Sequence, residues 1–310
     1  MEPDRDLLRN LVAYERYEEV FSITYFSSPM DLHSAHLVMQ SKFKHDPDVR
    51  LALSNAYNIL VHENPPEKAA RIYRTYGTEK AIQYLNKVIS DHCSPELLST
   101  LGAILVRNHQ FTDGIHILEK VRDLHGREAH FCLGVAYFKT GRYEDAVDSL
   151  RKALIQPDPA IFAYIGRSLY WLNNFSSALR YLKKAVELRG SGTDYFWKGC
   201  TLSKMKKYED AKACFEKSAD MRGNASDYHW LGTTLSAMGR TTEAVTPLEK
   251  AVELRGDAID YRKLGIIYAK SGDYQKARSN LSKAASMSGL PADEEWLSFV
   301  EKKLANSPVT

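Results

Sequence analysis

The chain has 310 residues, 44% of them hydrophobic and 26% charged, which is the profile of a folded chain and argues against long disorder. Lysine and arginine total 42 against 39 acidic residues, a formal net charge of +3. That is a poor footprint for nucleic acid, which calls for basic residues clustered on one face. No stretch approaches the roughly 20 apolar residues of a membrane helix, and the N-terminus lacks the basic flank and apolar core of a secretory signal. No membrane insertion and a cytoplasmic setting are the expectation. Cys93, Cys132, Cys200 and Cys214 follow no zinc or disulfide spacing and are expected to be reduced and mostly buried.

Residues 1–61 read as helical by periodicity. Leu7, Leu8, Leu11, Val12 and Tyr14 form one apolar stripe, and Leu32, Ala35, Leu37, Val38 and Phe43 form another. A third run, Leu51 to Val61, leads to the break at Asn64-Pro65-Pro66. These diverged helices are expected to cap the N-terminal end, although Tyr17, Phe21, Tyr25 and Phe26 leave a separate binding or dimerising role open.

From there the chain repeats. Gly134, Gly166, Gly199, Gly232 and Gly265 are separated by 32, 33, 33 and 33 residues, and Gly102 extends the ladder upstream. Other columns keep the same period: Gly114, Ala146, Ala178, Ala211, Ala244, Ala277, and four residues later Leu118, Leu150, Leu182, Phe215, Leu248, Leu281. Each repeat holds two apolar segments of helical spacing around a turn such as Thr140-Gly141-Arg142. The glycine column is expected to face the alanine column, letting two helices approach closely. One hairpin cannot bury its own apolar faces, so neighbours must stack.

The pattern Tyr228-x-x-Leu231-Gly232-x-x-Leu235, followed by Ala244-x-x-x-Leu248-x-x-Ala251, resembles the tetratricopeptide repeat. So does Phe131 to Ala153, with Leu133-Gly134, Tyr137, Gly141, Tyr143, Ala146 and Leu150. The resemblance covers residues 62–286, about seven repeats starting near 62, 95, 127, 159, 192, 225 and 258. It implies an all-α fold, a right-handed α-solenoid of stacked helix-turn-helix hairpins. The family's proline-containing turns are replaced at three places by Arg189-Gly190…Asp194-Tyr195, Arg222-Gly223…Asp227-Tyr228 and Arg255-Gly256…Asp260-Tyr261. These read as structural: glycine ends one helix left-handed, arginine complements the last carbonyls, aspartate caps the next helix, and tyrosine wedges against the preceding hairpin. Residues 287–304 read as one more helix capping the array, and 305–310 as a disordered tail.

Catalytic patterns are absent. His33 and His36 share a helix face without a third ligand, and no phosphate loop, nucleophile elbow or zinc-protease motif occurs. No enzyme activity, cofactor, metal or small-molecule substrate is expected. The resemblance instead implies ligand binding by the first helix of each hairpin. Counting from the glycine column places Phe131, Val135 and Phe138, then Arg167, Tyr170 and Trp171, then Phe196, His229 and Arg262 on that face. Aromatic residues with isolated arginines suit an amphipathic helix or extended peptide of a protein partner. The family's lysine/asparagine carboxylate clamp is missing, because its register holds Phe131 and Val135, Ala163 and Arg167, Phe196 and Cys200. The expected role is a non-catalytic interaction scaffold or adaptor, possible within a larger complex. The alternatives are an RNA-binding helical-repeat protein, disfavoured by the charge, and a regulatory module whose N-terminal helices occupy its own groove.

Overall fold

A computed structural model describes residues 29–44, 46–91, 93–121 and 126–305. The stripe at Leu7–Tyr14, the aromatics from Tyr17 to Phe26 and the tail beyond 305 lie outside the described residues, as does the Leu32 side chain. All regular structure among the described residues is helical, in seventeen helices. They pack as two compact units that divide between Ile155 and Gln156.

The first unit holds α1 (Pro29–Lys42), α2 (Pro47–His62), α3 (Pro65–Tyr76), α4 (Thr78–Asp91), α5 (Pro95–Arg107), α6 (Phe111–Glu119), α7 (Arg127–Lys139) and α8 (Tyr143–Ala153). Polar N-caps followed by proline start several of them. Asp46, Asn64 and Ser94 accept the backbone N–H groups of Val49, Glu67 and Leu97, and Pro47, Pro65 and Pro95 fill the first helical position, where no N–H is missed. The first helices α3, α5 and α7 lie side by side.

The α1–α2 hairpin has its own small core of Met39, Val49, Leu53, Ala56 and Leu60, with Ala35 and Phe43 beside it. Leu37 and Val38 of the expected stripe are each 55% exposed instead. Helical geometry turns them away from the side that Met39 and Ala35 bury. His33 and His36 both address Tyr57: His33 Nδ1 lies 2.9 Å from its hydroxyl, and the His36 ring stacks on it at 4.2 Å.

The second unit holds α9 (Pro159–Trp171), α10 (Phe175–Leu188), α11 (Gly192–Lys204), α12 (Tyr208–Arg222), α13 (Ala225–Ala237), α14 (Thr241–Leu254), α15 (Ala258–Ser271), α16 (Tyr274–Ser288) and α17 (Pro291–Ala305). Each helix packs on the next, and first helices also touch first helices. α17 buries Val300 against the preceding hairpin, with Trp296, Leu297 and Leu304 around it.

The glycine column lies against the backbone of the alanine column and takes in a larger side chain as well. A Cβ on Gly102, Gly134 or Gly232 would lie 2.5 Å from Cγ of Leu118, Leu150 or Leu248, and on Gly199 it would lie 2.9 Å from the Phe215 ring. The glycine therefore receives the large residue one turn beyond the alanine column. The alanine column comes near with its backbone, as at Ala244, whose carbonyl oxygen would be 3.1 Å away from a Cβ on Gly232. The helices still approach closely, because a side chain on one is inserted where the other has none.

The three arginine-glycine turns also differ from expectation. Gly190, Gly223 and Gly256 do adopt φ near +60°, the left-handed conformation that lets a helix end sharply. The N-caps of the following helices, however, are Ser191, Asn224 and Asp257, one turn before the aspartates, although Asp194 completes a capping box by accepting the Ser191 backbone N–H. Asp194, Asp227 and Asp260 are buried and pair with Arg189, Arg222 and Arg255 at 2.6, 3.1 and 2.7 Å. Arginine thus ties the end of one helix to the first turn of the next instead of binding the last carbonyls. A buried carboxylate requires such a partner. Tyr195, Tyr228 and Tyr261 lie beneath Lys217, Lys250 and Lys283 of their own hairpins, at 5.0–5.2 Å.

Candidate functional site

The first-helix faces of the two units differ in how much space they leave. In the first unit, α3, α5 and the start of α7 enclose a cavity of about 700 Å³, the size of a ligand-binding cleft. Its floor is Ala70, Tyr73, Ala103, Ile104 and Ala129, with Ser99 and Thr100 between. Ser99, Ala103 and Arg107 stand at the same offsets from Gly102 that Phe131, Val135 and Lys139 hold from Gly134. Extending the projection one repeat upstream would therefore have found this cavity. Further along, Phe131 and Val135 are half-buried, and Phe138 is 8% exposed with its ring 5.8 Å from Tyr143.

In the second unit the corresponding face leaves less space, a cavity of about 270 Å³ beside Ala160, Ala163 and Arg167, and is otherwise occupied by aromatic rings. Tyr170 is 8% exposed and lies 5.5–5.7 Å from the rings of Trp171, Phe175 and Trp197. Trp171 is 49% exposed and meets Trp197 edge-on at 6.3 Å. Phe196 sits edge-on to Trp197 and Phe215, beneath the Arg222 guanidinium at 4.9 Å. The Arg167 guanidinium lies between the faces of Tyr164 and Trp197, at 5.1 and 4.9 Å. Burial lowers its pKa, an effect partly offset by Tyr164 and Asp194. Trp197 and Trp230, two residues before the glycine column, belong to this face and were not among the projected positions; their own 33-residue spacing was the available signal.

His229 and Arg262 have their polar groups committed inside the protein. His229 Nδ1 lies 2.8 Å from Asp260, and Arg262 makes two bonds to Asp293, one of them 2.8 Å long. Burial lowers the His229 pKa, and Asp260 only partly restores it, so the neutral ring is favoured. At Asp260, burial raises the carboxyl's pKa, but the bonds from Arg255 and His229 outweigh it and leave it below the ordinary range.

The three buried thiols are poor nucleophiles. Burial pushes Cys132 up to about 12 and raises Cys200 and Cys214 as well, so they stay protonated. Among the described residues no group of three or more His, Cys, Asp or Glu side chains is arranged to hold a metal, and no helix is long and apolar enough to cross a membrane.

Stacked hairpins with a glycine-for-leucine insertion and a first-helix face open to ligands define a helical-repeat protein. Three tetratricopeptide-repeat models match the chain, over residues 100–160, over 195–224, and over 160–190 with 228–258. The chain belongs to the tetratricopeptide-repeat family. Its fold is similar to that of a tetratricopeptide repeat protein from Parabacteroides merdae, with a TM-score of 0.55, 18% identity, and coverage of 76% of this chain and 97% of that one. It is also similar to a chain of the Cut9–Hcn1 hetero-tetramer of the APC/C, with a TM-score of 0.60, 13% identity, and coverage of 96% and 67%. No curated protein matches the sequence significantly.

Proposed function

We propose that the protein is a non-catalytic, cytoplasmic interaction scaffold that holds a segment of a partner protein, an amphipathic helix or extended peptide, against its first-helix faces. The observation that carries this reading is the 700 Å³ cavity between α3, α5 and α7, an apolar cleft in a family built for such contacts. On this reading residues 62–286 form the repeat array. Phe131 and Val135 continue the face of the first unit beyond the cavity. Trp171, with Phe196 and Arg167 beside it, is the anchor of the second, since a half-exposed indole on a rigid aromatic bed is the kind of residue on which binding energy concentrates. Phe138 and Tyr170 support these residues from beneath.

Affinity capture from native extract tests the reading, comparing wild type with Trp171→Ala and Ala70→Trp, each first shown to be helical by circular dichroism. A protein retained by wild type and lost from either folded variant supports it. An unchanged captured set sinks it, and would move attention to the outer faces.

A further inference from the structure

We infer that a lysine-lined groove on α10, α11 and α12 of the second unit binds an acidic segment of a partner protein. The groove is separate from the first-helix faces and does not depend on them. Its cavity of about 320 Å³ is lined by Lys183 of α10, Lys198 of α11, the α12 N-cap Lys207, and Lys217 of α12. Both α10 and α12 pack on α11, which carries Lys198 and Tyr195 into the lining. Asp210 is the one carboxylate among the lining residues. None of the four lysines is ion-paired among the described residues, and Lys217 instead covers the Tyr195 ring at 5.2 Å. Four ammonium groups around one hollow with a single opposing acid concentrate positive potential there.

The repeats themselves show that this cluster is particular to one place. The residue before the ladder glycine is Leu133, Ile165, Leu231 or Leu264 elsewhere, and Lys198 here. Lys198 is half-buried, at a position where an aliphatic side chain would gain by burial. A lysine forgoes part of that gain and brings a charge to the groove wall. One repeat on, the four lysine positions hold Glu216, Leu231, Arg240 and Lys250, and Arg240 is bonded to Glu243. Two repeats on, they hold Glu249, Leu264, Asp273 and Lys283. Acids therefore enter both later sets. A nucleic acid would call for a positive stripe that continues, and Glu216 and Glu249 interrupt it. The ligand must instead bring several negative charges to one groove, more than the single charge of a carboxylate or the roughly two of a phosphoryl group. Successive Asp or Glu side chains along a peptide meet that need, since lysines are flexible point charges with no fixed fork to match. The Tyr195 ring and Ala213 give the peptide apolar surface to rest on.

The test uses the full chain and fluorescent peptides about eight residues long, roughly 25 Å when extended, read by anisotropy at low and high salt. One peptide alternates Asp and Glu, a second has Asn and Gln in their place, and an oligouridylate of equal length is the third probe. The acidic peptide is expected to bind, more weakly as salt rises, and the neutral one is not. Lys183→Gln/Lys198→Leu, which gives position 198 the residue of other repeats, is expected to stay helical by circular dichroism and to lower the affinity at least tenfold, about 1.4 kcal/mol. Lys204→Gln/Lys206→Gln removes the same charge outside the groove lining and is expected to leave the affinity unchanged. An equal loss in both variants means bulk charge alone and overturns the site, as does an acidic peptide that binds no better than the neutral one. Tighter binding of the oligouridylate, lost with Lys183 and Lys198, assigns the lysines to nucleic acid and overturns the inference of a protein segment. Trp171→Ala and Ala70→Trp are expected to have no effect on this peptide. A loss in either would place the peptide on the first-helix faces and overturn the groove, so the two sites fail separately.

Discussion

The two units share a backbone plan and differ at two columns of side chains. Three residues before the ladder glycine the first unit has Ser99 and Phe131, and two before it Thr100 and Cys132. The second unit has Ala163, Phe196, His229 and Arg262 at the former, and Tyr164, Trp197, Trp230 and Lys263 at the latter. Small residues leave the 700 Å³ cleft between α3, α5 and α7, whereas in the second unit the indoles pack edge-on and a cavity of only about 270 Å³ remains beside Ala163 and Arg167. The turns differ as well. Proline and a polar cap start α3 and α5, while α11, α13 and α15 are held by an arginine bonded to a buried aspartate. A repeat scaffold therefore keeps its helix-to-helix insertion constant and varies two neighbouring positions to set how much of the face is open.

The constant part should respond alike in both units. Leu118 and Leu248 are fully buried against Gly102 and Gly232, so Leu118→Ala and Leu248→Ala should each cost about 2–5 kcal/mol in denaturant unfolding followed by circular dichroism. A much smaller loss for one of them would show that the insertion is not equivalent in the two units.

The clasped turns should set the second unit apart in acid. Asp260→Asn should cost about 2–4 kcal/mol, toward the lower end because Arg255 keeps 36% of its side chain exposed. The pH dependence has two steps. The Asp260 pKa is lowered in the fold, so its contribution is complete above the unfolded value of about 3.9 and is lost as pH falls through the folded one. The His229 pKa is also lowered, so the unfolded chain takes up a proton first and stability begins to fall below about pH 6.5. His229→Gln should shrink the upper step of a melting-temperature series between about pH 8 and 3, leaving the part that His36, whose pKa is also lowered by burial, contributes. A single carboxylate step in wild type would contradict the assignment.

Exchanging the variable column should sharpen the contrast further. Trp197→Thr removes rings from Tyr170, Trp171 and Phe196 and the seat of Arg167, and should cost about 2 kcal/mol while opening space in the second unit. Thr100→Trp should instead change stability by less than about 1 kcal/mol and close the cleft to peptides, since the new ring enters existing space. The smallest effect should come from Lys206→Gly. Lys206 holds φ at 59° in the turn between α11 and α12, where Gly141, Gly239 and Gly272 stand in other hairpins, and relief of that strain should stabilise by up to about 1 kcal/mol in thermal unfolding.

The sequence by itself determined the repeat length, the pairing of helices into hairpins and the left-handed glycines at 190, 223 and 256, because these depend on periodicity and on residues a few positions apart. It also marked the family. What only the tertiary structure decided was who meets whom across 16 to 31 residues. Gly102 receives Leu118, Asp260 answers His229 rather than capping α15, and Arg262 is spent on Asp293. The cleft belongs to the same class of fact: Ser99, Thr100 and Ala103 are unremarkable in sequence, and become a site only because α3 and α7 stand on either side of α5 and leave their small side chains uncovered.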